Sequence, residues 1–278
     1  MEVKLRKIAT FAGVQVDQDQ EPQSAAAVRD LVQEHGLVIM ENAGLKESTF
    51  ADFTRAVGVP VPPPFLEEAV EGSGVSSLRH SATPADVRGG PNFVFASGWH
   101  SDWTFLQRPP DMSILWCRTA PILGGGTIFC DAHFGLTGLS EVFAGFLSGL
   151  HARHQSDLSY GNRGAYGSTK PLGPSKLKGT TNSFESTHPL VCKSPLSGLK
   201  CYFGSPAYVN DVQELNSREG RAVLDLALSQ VLWEENMVRV SWKHDMLVIW
   251  DNFRFLHRAL NEGILGTRHI LRSNVYVP

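Results

Sequence analysis

The chain has 278 residues, with 25 Lys+Arg against 28 Asp+Glu for a net charge of −3. Its composition, 42% hydrophobic and 19% charged, supplies a substantial core and excludes a mainly disordered, collagen-like or coiled-coil chain. The near-neutral balance excludes a protein that grips nucleic acid chiefly by charge, and the lack of an apolar run of about 18 residues predicts no membrane-spanning helix.

Residues 24–35 read as a helix, with Val28, Leu31 and Val32 on one face and Gly36 as its stop. Residues 36–40 follow as a short buried strand. Residues 47–57 read as a second helix, with Phe50, Phe53 and Val57 at helical spacing. A proline-rich break at 59–64 opens a polar stretch that runs to about residue 91. From 92 the texture is that of strands: FVFASGWHSDWTF, MSILWCRTAP and GGTIFCDA are rich in aromatic and β-branched residues and punctuated by Pro and Gly. Residues 136–150 read as a helix with a stripe of Leu139, Val142, Phe143, Phe146 and Leu150. The polar segment 155–183 carries five glycines and is expected as a loop that is functional, disordered or both, placed like a mobile lid. LKCYF, VRVSW, MLVIWDN and RHILRSNVYV read as strands, interrupted by one helix at about 217–234. The expected fold is mainly β with helices (α+β), a sandwich or jelly roll decorated with helices, in a single domain over 1–278. The first fifteen residues lack a long apolar stretch, so no secretory signal is expected. Cys117, Cys130, Cys192 and Cys201 form no CxxC pair and are expected as reduced thiols of a cytoplasmic protein.

The sharpest local feature is Trp99-His100-Ser101-Asp102-Trp103. In an extended segment His100 and Asp102 would point to one face, where an imidazole and a carboxylate can hold a metal ion together. A third ligand would complete the two-histidine, one-carboxylate set that leaves positions open on iron(II) in non-haem oxygenases. Alone, the pair fits a surface hydrogen bond as well. Near the end of the chain, WDNFRFLH closes on His257 after the apolar run MLVIW, and Arg268 and Arg272 follow. In a strand, 268, 270 and 272 share a face. Two arginines on such a face require anions, which a guanidinium binds bidentately. Those anions are either ligands or Asp and Glu side chains of the protein itself.

Taken together, His100-x-Asp102, the distal His257 and an arginine eleven residues after it resemble the iron(II)/2-oxoglutarate-dependent dioxygenases. The group resembled is the one that contains taurine dioxygenase and 2,4-dichlorophenoxyacetate dioxygenase. WHSDWTF with RPPDMSIL, APILGGGTIFCD, THPLVCKSPLSGLKCYF and WDNFRFLHRAL resemble that group's motifs in the right order, over roughly residues 25 to 278. The resemblance implies a double-stranded β-helix (cupin-like jelly roll) core flanked by helices. It implies His100, Asp102 and His257 as iron ligands, Thr127 and Arg268 as contacts to the carboxylates of 2-oxoglutarate, and Arg272 as the partner of an anionic substrate. The implied reaction uses Fe(II), 2-oxoglutarate and O2, yields succinate and CO2, and hydroxylates a small organic anion. The same iron site could instead carry out desaturation, cyclisation or oxidative cleavage in a biosynthetic pathway. By analogy with the family, a homo-oligomer, dimer or tetramer, is expected.

Other residues have plainer readings. Asp131-x-His133 is expected to be structural, and His151 and His154 are expected to complement the end of the 136–150 helix. Trp99 and Trp103 are expected in the core, with Trp103 turned away from the iron. Gly124-Gly125-Gly126 reads as a strand-linking turn, since no Gly-Lys-Ser/Thr ending follows. Phe203 and Tyr208 lie in a segment that borders the substrate in the family resembled.

Overall fold

A computed structural model describes residues 5–16, 24–84, 96–161, 164–166, 182–260 and 263–278. The first two helices form as the sequence predicts. Ala25–His35 starts at Ser24, whose side chain accepts from the Ala27 N–H, and stops at Gly36, where φ is 78°. Glu47–Val57 buries Phe50, Thr54 and Val57.

Between and beyond these helices the chain builds sheets. The largest is an 8-stranded sheet, with the strand Met246–Asp251 between Leu37–Met40 and Met112–Thr119. Met112–Thr119 pairs on its other side with Gly266–Tyr276, which also pairs with Val75–Ala82. All these pairings are antiparallel. A 3-stranded sheet, Met237–Val240, Thr127–Asp131 and Phe255–Ala259, lies against the first. The core between the two sheets holds Leu37, Leu115, Phe129, Val240, Val248, Trp250 and Ile270. The opposite face of the large sheet is covered by the first two helices through Val28, Val32, Phe50 and Val57. The helix Ser217–Val231 covers the outer side of the small sheet with Leu224, Ala227 and Val231. Full burial of these side chains is the main stabilising term, each worth about 1.5–3 kcal/mol.

Several expectations are corrected. The 136–150 helix does not exist as one element. Ala132–Thr137 and Glu141–Ser148 are separate helices, because Gly138 ends the first and Ser140 caps the second. The proposed stripe faces outward in part, with Val142 85% exposed. His151 and His154 therefore stand not at a helix end but on the strand His151–Gln155. The segment 96–111 is not a strand: it turns repeatedly, and His100 makes only an isolated bridge. His257 does not close the MLVIW strand. A turn at Asn252–Arg254 separates it, and His257 lies on the next strand, Phe255–Ala259. The polar stretch before residue 91 contains the strand Val75–Ala82, where five of eight residues are polar or charged and hide the pattern. The lid expected over 155–183 falls largely outside the described residues. Of its described part, Gln155 ends a strand and Asp157–Tyr160 is a short helix. Among the described residues, no helix is long and apolar enough to cross a membrane, and all four cysteines are free thiols.

Candidate metal centre

The turn that carries His100 and Asp102 is fixed from both sides by backbone bonds. His100 N–H donates to His257 O at 3.0 Å, and His257 N–H donates back to His100 O at 2.8 Å. Two residues on, Asn252 clamps Asp102. Its Oδ1 accepts from Asp102 N–H at 2.7 Å and its Nδ2 donates to Asp102 O at 2.9 Å. Trp103 then adopts φ 50°, a left-handed conformation that turns the chain away. Strand alternation is therefore not what aims the His100 and Asp102 side chains together; a clamped turn is.

The result is a buried cluster. One ligand atom from each of His100, Asp102 and His257 lies within 4.8 Å of the others. Asp102 Oδ1 is 3.6 Å from His100 Nε2 and 3.7 Å from His257 Nε2. His100 Nδ1 lies 2.7 Å from Gly98 O, which favours a proton on Nδ1 and leaves Nε2 as a lone pair. Burial lowers the pKa of His100 against the pull of Asp102, and burial lowers that of His257 well below the ordinary value. Burial alone would raise Asp102, but the Arg272 guanidinium, with a hydrogen bond from Asn274, holds the carboxyl well below the usual range. Two neutral imidazoles thus face an ionised carboxylate. Asp102 Oδ1 is buried and has no hydrogen-bond partner. Its charge is met in part by Arg272 Nη2 at 3.1 Å, and it is placed to meet a further cation between the two imidazoles. The donor set, two nitrogens and one oxygen, suits a divalent iron with positions to spare.

Arg272 lies against this cluster. Its Nη2 is 3.1 Å from Asp102 Oδ1 and its guanidinium sits 4.6 Å from the centre of the Trp103 ring. Of the two kinds of anion open to the arginines, Arg272 meets a protein carboxylate, and that carboxylate belongs to the cluster. Trp103 is buried as expected, but it faces the site through Arg272 instead of turning away. Around it stand Phe65, Phe105, Tyr160, Tyr166 and Tyr208, with Phe65 stacked on Tyr160 at 4.2 Å. The Tyr208 ring is 6.1 Å from that of His100.

Thr127 and Arg268 form a second group. Thr127 Oγ1 accepts from Trp242 Nε1 at 3.1 Å, and Arg268 lies 6.0 Å from the centre of the same indole. Thr127 is two residues from Phe129 on one strand, so both point to the same side, and the Phe129 ring stacks on His257 at 5.8 Å. Arg268 is 8% exposed, and its Nε has no hydrogen-bond partner. Burial lowers its pKa to about 10, so it remains a cation at neutral pH. A buried guanidinium with an unused donor can hold a carboxylate.

Asp131 and His133 are structural, as expected, whereas His151, His154 and Trp99 have structural surroundings other than those expected. Asp131 Oδ1 caps the helix Ala132–Thr137 and Oδ2 pairs with Arg254. His151 pairs with Glu214, and buried His154 meets Thr104 Oγ1 at 2.8 Å. Trp99 is only half-buried and carries Arg258 on its ring. Gly124 and Gly125 form the expected turn at φ 72° and 65°. Tyr208 joins the aromatic cluster, whereas Phe203 stacks on Phe253 at 4.8 Å. Sequence reasoning missed Asn252, Trp242 and, in the aromatic group, Phe65, Phe105, Tyr160 and Tyr166. Asn252 had a signal, since it sits inside the quoted WDN motif; the others had none without the fold.

Known proteins resemble this chain. Residues 4–273 match the family model described as "Taurine catabolism dioxygenase TauD, TfdA family". A putative alpha-ketoglutarate-dependent sulfonate dioxygenase of Schizosaccharomyces pombe is 28% identical over 212 residues, 75% of this chain; the match spans half the length of that relative. An alpha-ketoglutarate-dependent 2,4-dichlorophenoxyacetate dioxygenase of a Burkholderia species is 27% identical over 98% of this chain and 82% of its own length. Among solved structures, AAD-2 in complex with Mn(II) and N-oxalylglycine superposes with a TM-score of 0.76 at 19% identity, covering 100% of this chain and 98% of its own.

Proposed function

Since the chain belongs to the TauD, TfdA family, we propose that it is an Fe(II)- and alpha-ketoglutarate-dependent (2-oxoglutarate-dependent) dioxygenase that hydroxylates a small organic anion. The facing sheets support a double-stranded β-helix core, and the free thiols suit a reducing, cytoplasmic setting. The observation that carries the reading is that Asp102 Oδ1, buried and paired with Arg272 Nη2 at 3.1 Å, also lies 3.6 and 3.7 Å from the Nε2 atoms of His100 and His257. His100, Asp102 and His257 would hold the iron. When bound, iron and O2 supply the oxidising power, while 2-oxoglutarate gives up two electrons and leaves as succinate and CO2.

The protein's own work is binding, orientation and exclusion of water. Arg268, cationic and short of one partner, suits the far carboxylate of the keto acid, and Thr127 on the neighbouring strand suits a carboxylate oxygen. Arg272 suits the anionic group of the organic substrate, which would share the guanidinium with Asp102. The sulfonate and phenoxyacetate named in the relatives' activities are both anionic, in keeping with a basic anchor at this place. The ring cluster of Phe65, Trp103, Phe105, Tyr160 and Tyr208 keeps water from this side of the centre.

The test is an anaerobic titration with Fe(II) and 2-oxoglutarate, followed by the weak visible charge-transfer band of a chelated keto acid. A band in the wild type that is lost in Asp102→Ala supports the reading. No band from folded protein with iron in excess overturns it.

A further inference from the structure

The carboxylate of Asp102 is held asymmetrically. Oδ1 faces the histidines without a hydrogen bond. Oδ2 accepts from Ser113 Oγ at 2.7 Å and from Asn274 Nδ2 at 2.9 Å. Ser113 and Asn274 stand directly opposite each other on the paired strands Met112–Thr119 and Gly266–Tyr276, so their side chains emerge on one side of the sheet. Both are fully buried. Asn274 Nδ2 also donates to Ser113 Oγ at 2.7 Å, and Asn274 Oδ1 accepts from Arg272 Nε at 3.0 Å.

The hydrogens balance. The one serine hydrogen goes to Asp102. The two amide hydrogens of Asn274 go to Asp102 and to the serine oxygen. A flipped amide would set its oxygen against the carboxylate and its NH2 against the arginine donor, so the network admits one orientation. Every polar atom of the Asn274 side chain is thereby engaged, with Asp102 on one side and Arg272 on the other. The backbone of Asp102 is fixed separately by Asn252. What Ser113 and Asn274 control is the rotation of the carboxylate.

Resting on the reading of His100, Asp102 and His257 as metal ligands, we propose that Ser113 and Asn274 are positioning residues that make Asp102 a one-oxygen ligand. By occupying Oδ2 they leave Oδ1, which also meets Arg272 Nη2 at 3.1 Å, as the oxygen that faces the ion. A carboxylate free to turn would no longer hold Oδ1 toward the two imidazoles, and the ion would be bound less tightly. Asn274 also keeps Arg272 in register with that carboxylate, so one amide aligns the metal ligand and the anion anchor. Outer partners of this kind typically affect metal affinity about 10- to 100-fold.

Calorimetric titration of Mn(II) alone into the full chain tests this, with Ser113→Ala, Ser113→Thr, Asn274→Ala and His100→Ala beside the wild type, each checked for folding by circular dichroism. Folded Ser113→Ala and Asn274→Ala are expected to bind Mn(II) about 10- to 100-fold more weakly, and Ser113→Thr, which keeps the hydroxyl, to recover wild-type affinity. A purely structural role would lower the melting temperature and leave the affinity of the folded protein unchanged. Wild-type affinity in Ser113→Ala and Asn274→Ala, with binding abolished in His100→Ala, overturns the positioning role and spares the ligand reading. Unchanged binding in His100→Ala overturns the ligand reading itself. Ser113→Ala removes a single oxygen and carries the test should Asn274→Ala not fold.

Discussion

His100 and His257 exchange both of their backbone hydrogen bonds, so two side chains far apart in sequence are set side by side by the main chain itself. Their rings lie 4.2 Å apart. Removing one imidazole leaves this backbone pairing in place. His100→Ala and His257→Ala are therefore expected to fold, losing about 1–3 kcal/mol to the space created. Thermal melts with Mn(II) check their role. At a concentration about 100 times Kd, Mn(II) is expected to stabilise the wild type by about 2.7 kcal/mol and to shift neither variant.

Arg268 and Arg272 are four residues apart on one strand, yet they face different partners: Trp242 with Thr127, and Asp102 with Trp103. Truncating them should separate two affinities. Arg268→Ala is expected to weaken 2-oxoglutarate binding by about 2–5 kcal/mol, the usual cost of removing one side of a buried charge pair. Arg272→Ala is expected to leave that binding largely intact and to weaken use of the organic substrate. Titrating the visible band with 2-oxoglutarate distinguishes them. An equal loss in both variants would show that the two arginines do not divide the work.

Gly125 offers a gentler probe of the same place. At φ 65°, a Cβ there would lie 2.9 Å from Ile264 Cγ1 and 3.3 Å from Arg268 Cδ. Gly125→Ala is expected to strain the turn and displace the Arg268 stem, raising the 2-oxoglutarate concentration needed for half-saturation while the Mn(II) affinity stays at the wild-type value.

Arg254 donates through Nε and Nη2 to Asp131 Oδ2, at 3.0 and 2.8 Å, in a fully buried pair. It ties the small sheet to the turn that precedes His257. Asp131→Asn keeps the helix cap but strands the guanidinium, and a loss of about 3–5 kcal/mol is expected. Arg254→Met should cost a similar amount. The double variant should cost less than the sum, measured by urea unfolding.

Asp251 gives a pH signature. Burial raises its pKa from 3.8 to about 6, against hydrogen bonds from Ser194 and from the Phe253 and Arg254 N–H groups. The folded chain thus holds a proton that the unfolded chain has released. This contribution is fully present below the unfolded pKa and is lost as pH rises through about 6, a change of about 3 kcal/mol. Asp251→Asn lacks it. Relative to wild type, the variant should gain stability between about pH 4 and pH 7. Parallel unfolding curves across that range would exclude the proton.

The helices at 25–35 and 47–57 were legible because capping residues and one-sided apolar spacing agree with the packing they find. The strands Met112–Thr119 and Met246–Asp251 were legible as apolar runs because both of their faces are buried. Val75–Ala82 was not, because it serves as a partner to the arginine-bearing strand and presents serines to it. The helix over 136–150 failed where Gly138 and Ser140 interrupt a run that stays apolar. In the site, residue types and order pointed to His100, Asp102 and His257. The reason they meet, a clamped turn and not an extended strand, is a long-range fact carried by Asn252 and the His257 backbone. Ser113 and Asn274 carry no local signal, since their meaning depends on strand register.

The aromatic group beside Arg272 has a different ancestry in the chain from the metal cluster. Phe65 comes from the proline-rich connection after the second helix, Tyr160 and Tyr166 from the segment after His151–Gln155, and Tyr208 from the approach to Val209–Val212. None of these four lies on the strands that carry His257, Thr127, Arg268 or Arg272. Under the proposed function, this lining can change by substitution or loop length while the strand register that places His257, Thr127, Arg268 and Arg272 stays as it is.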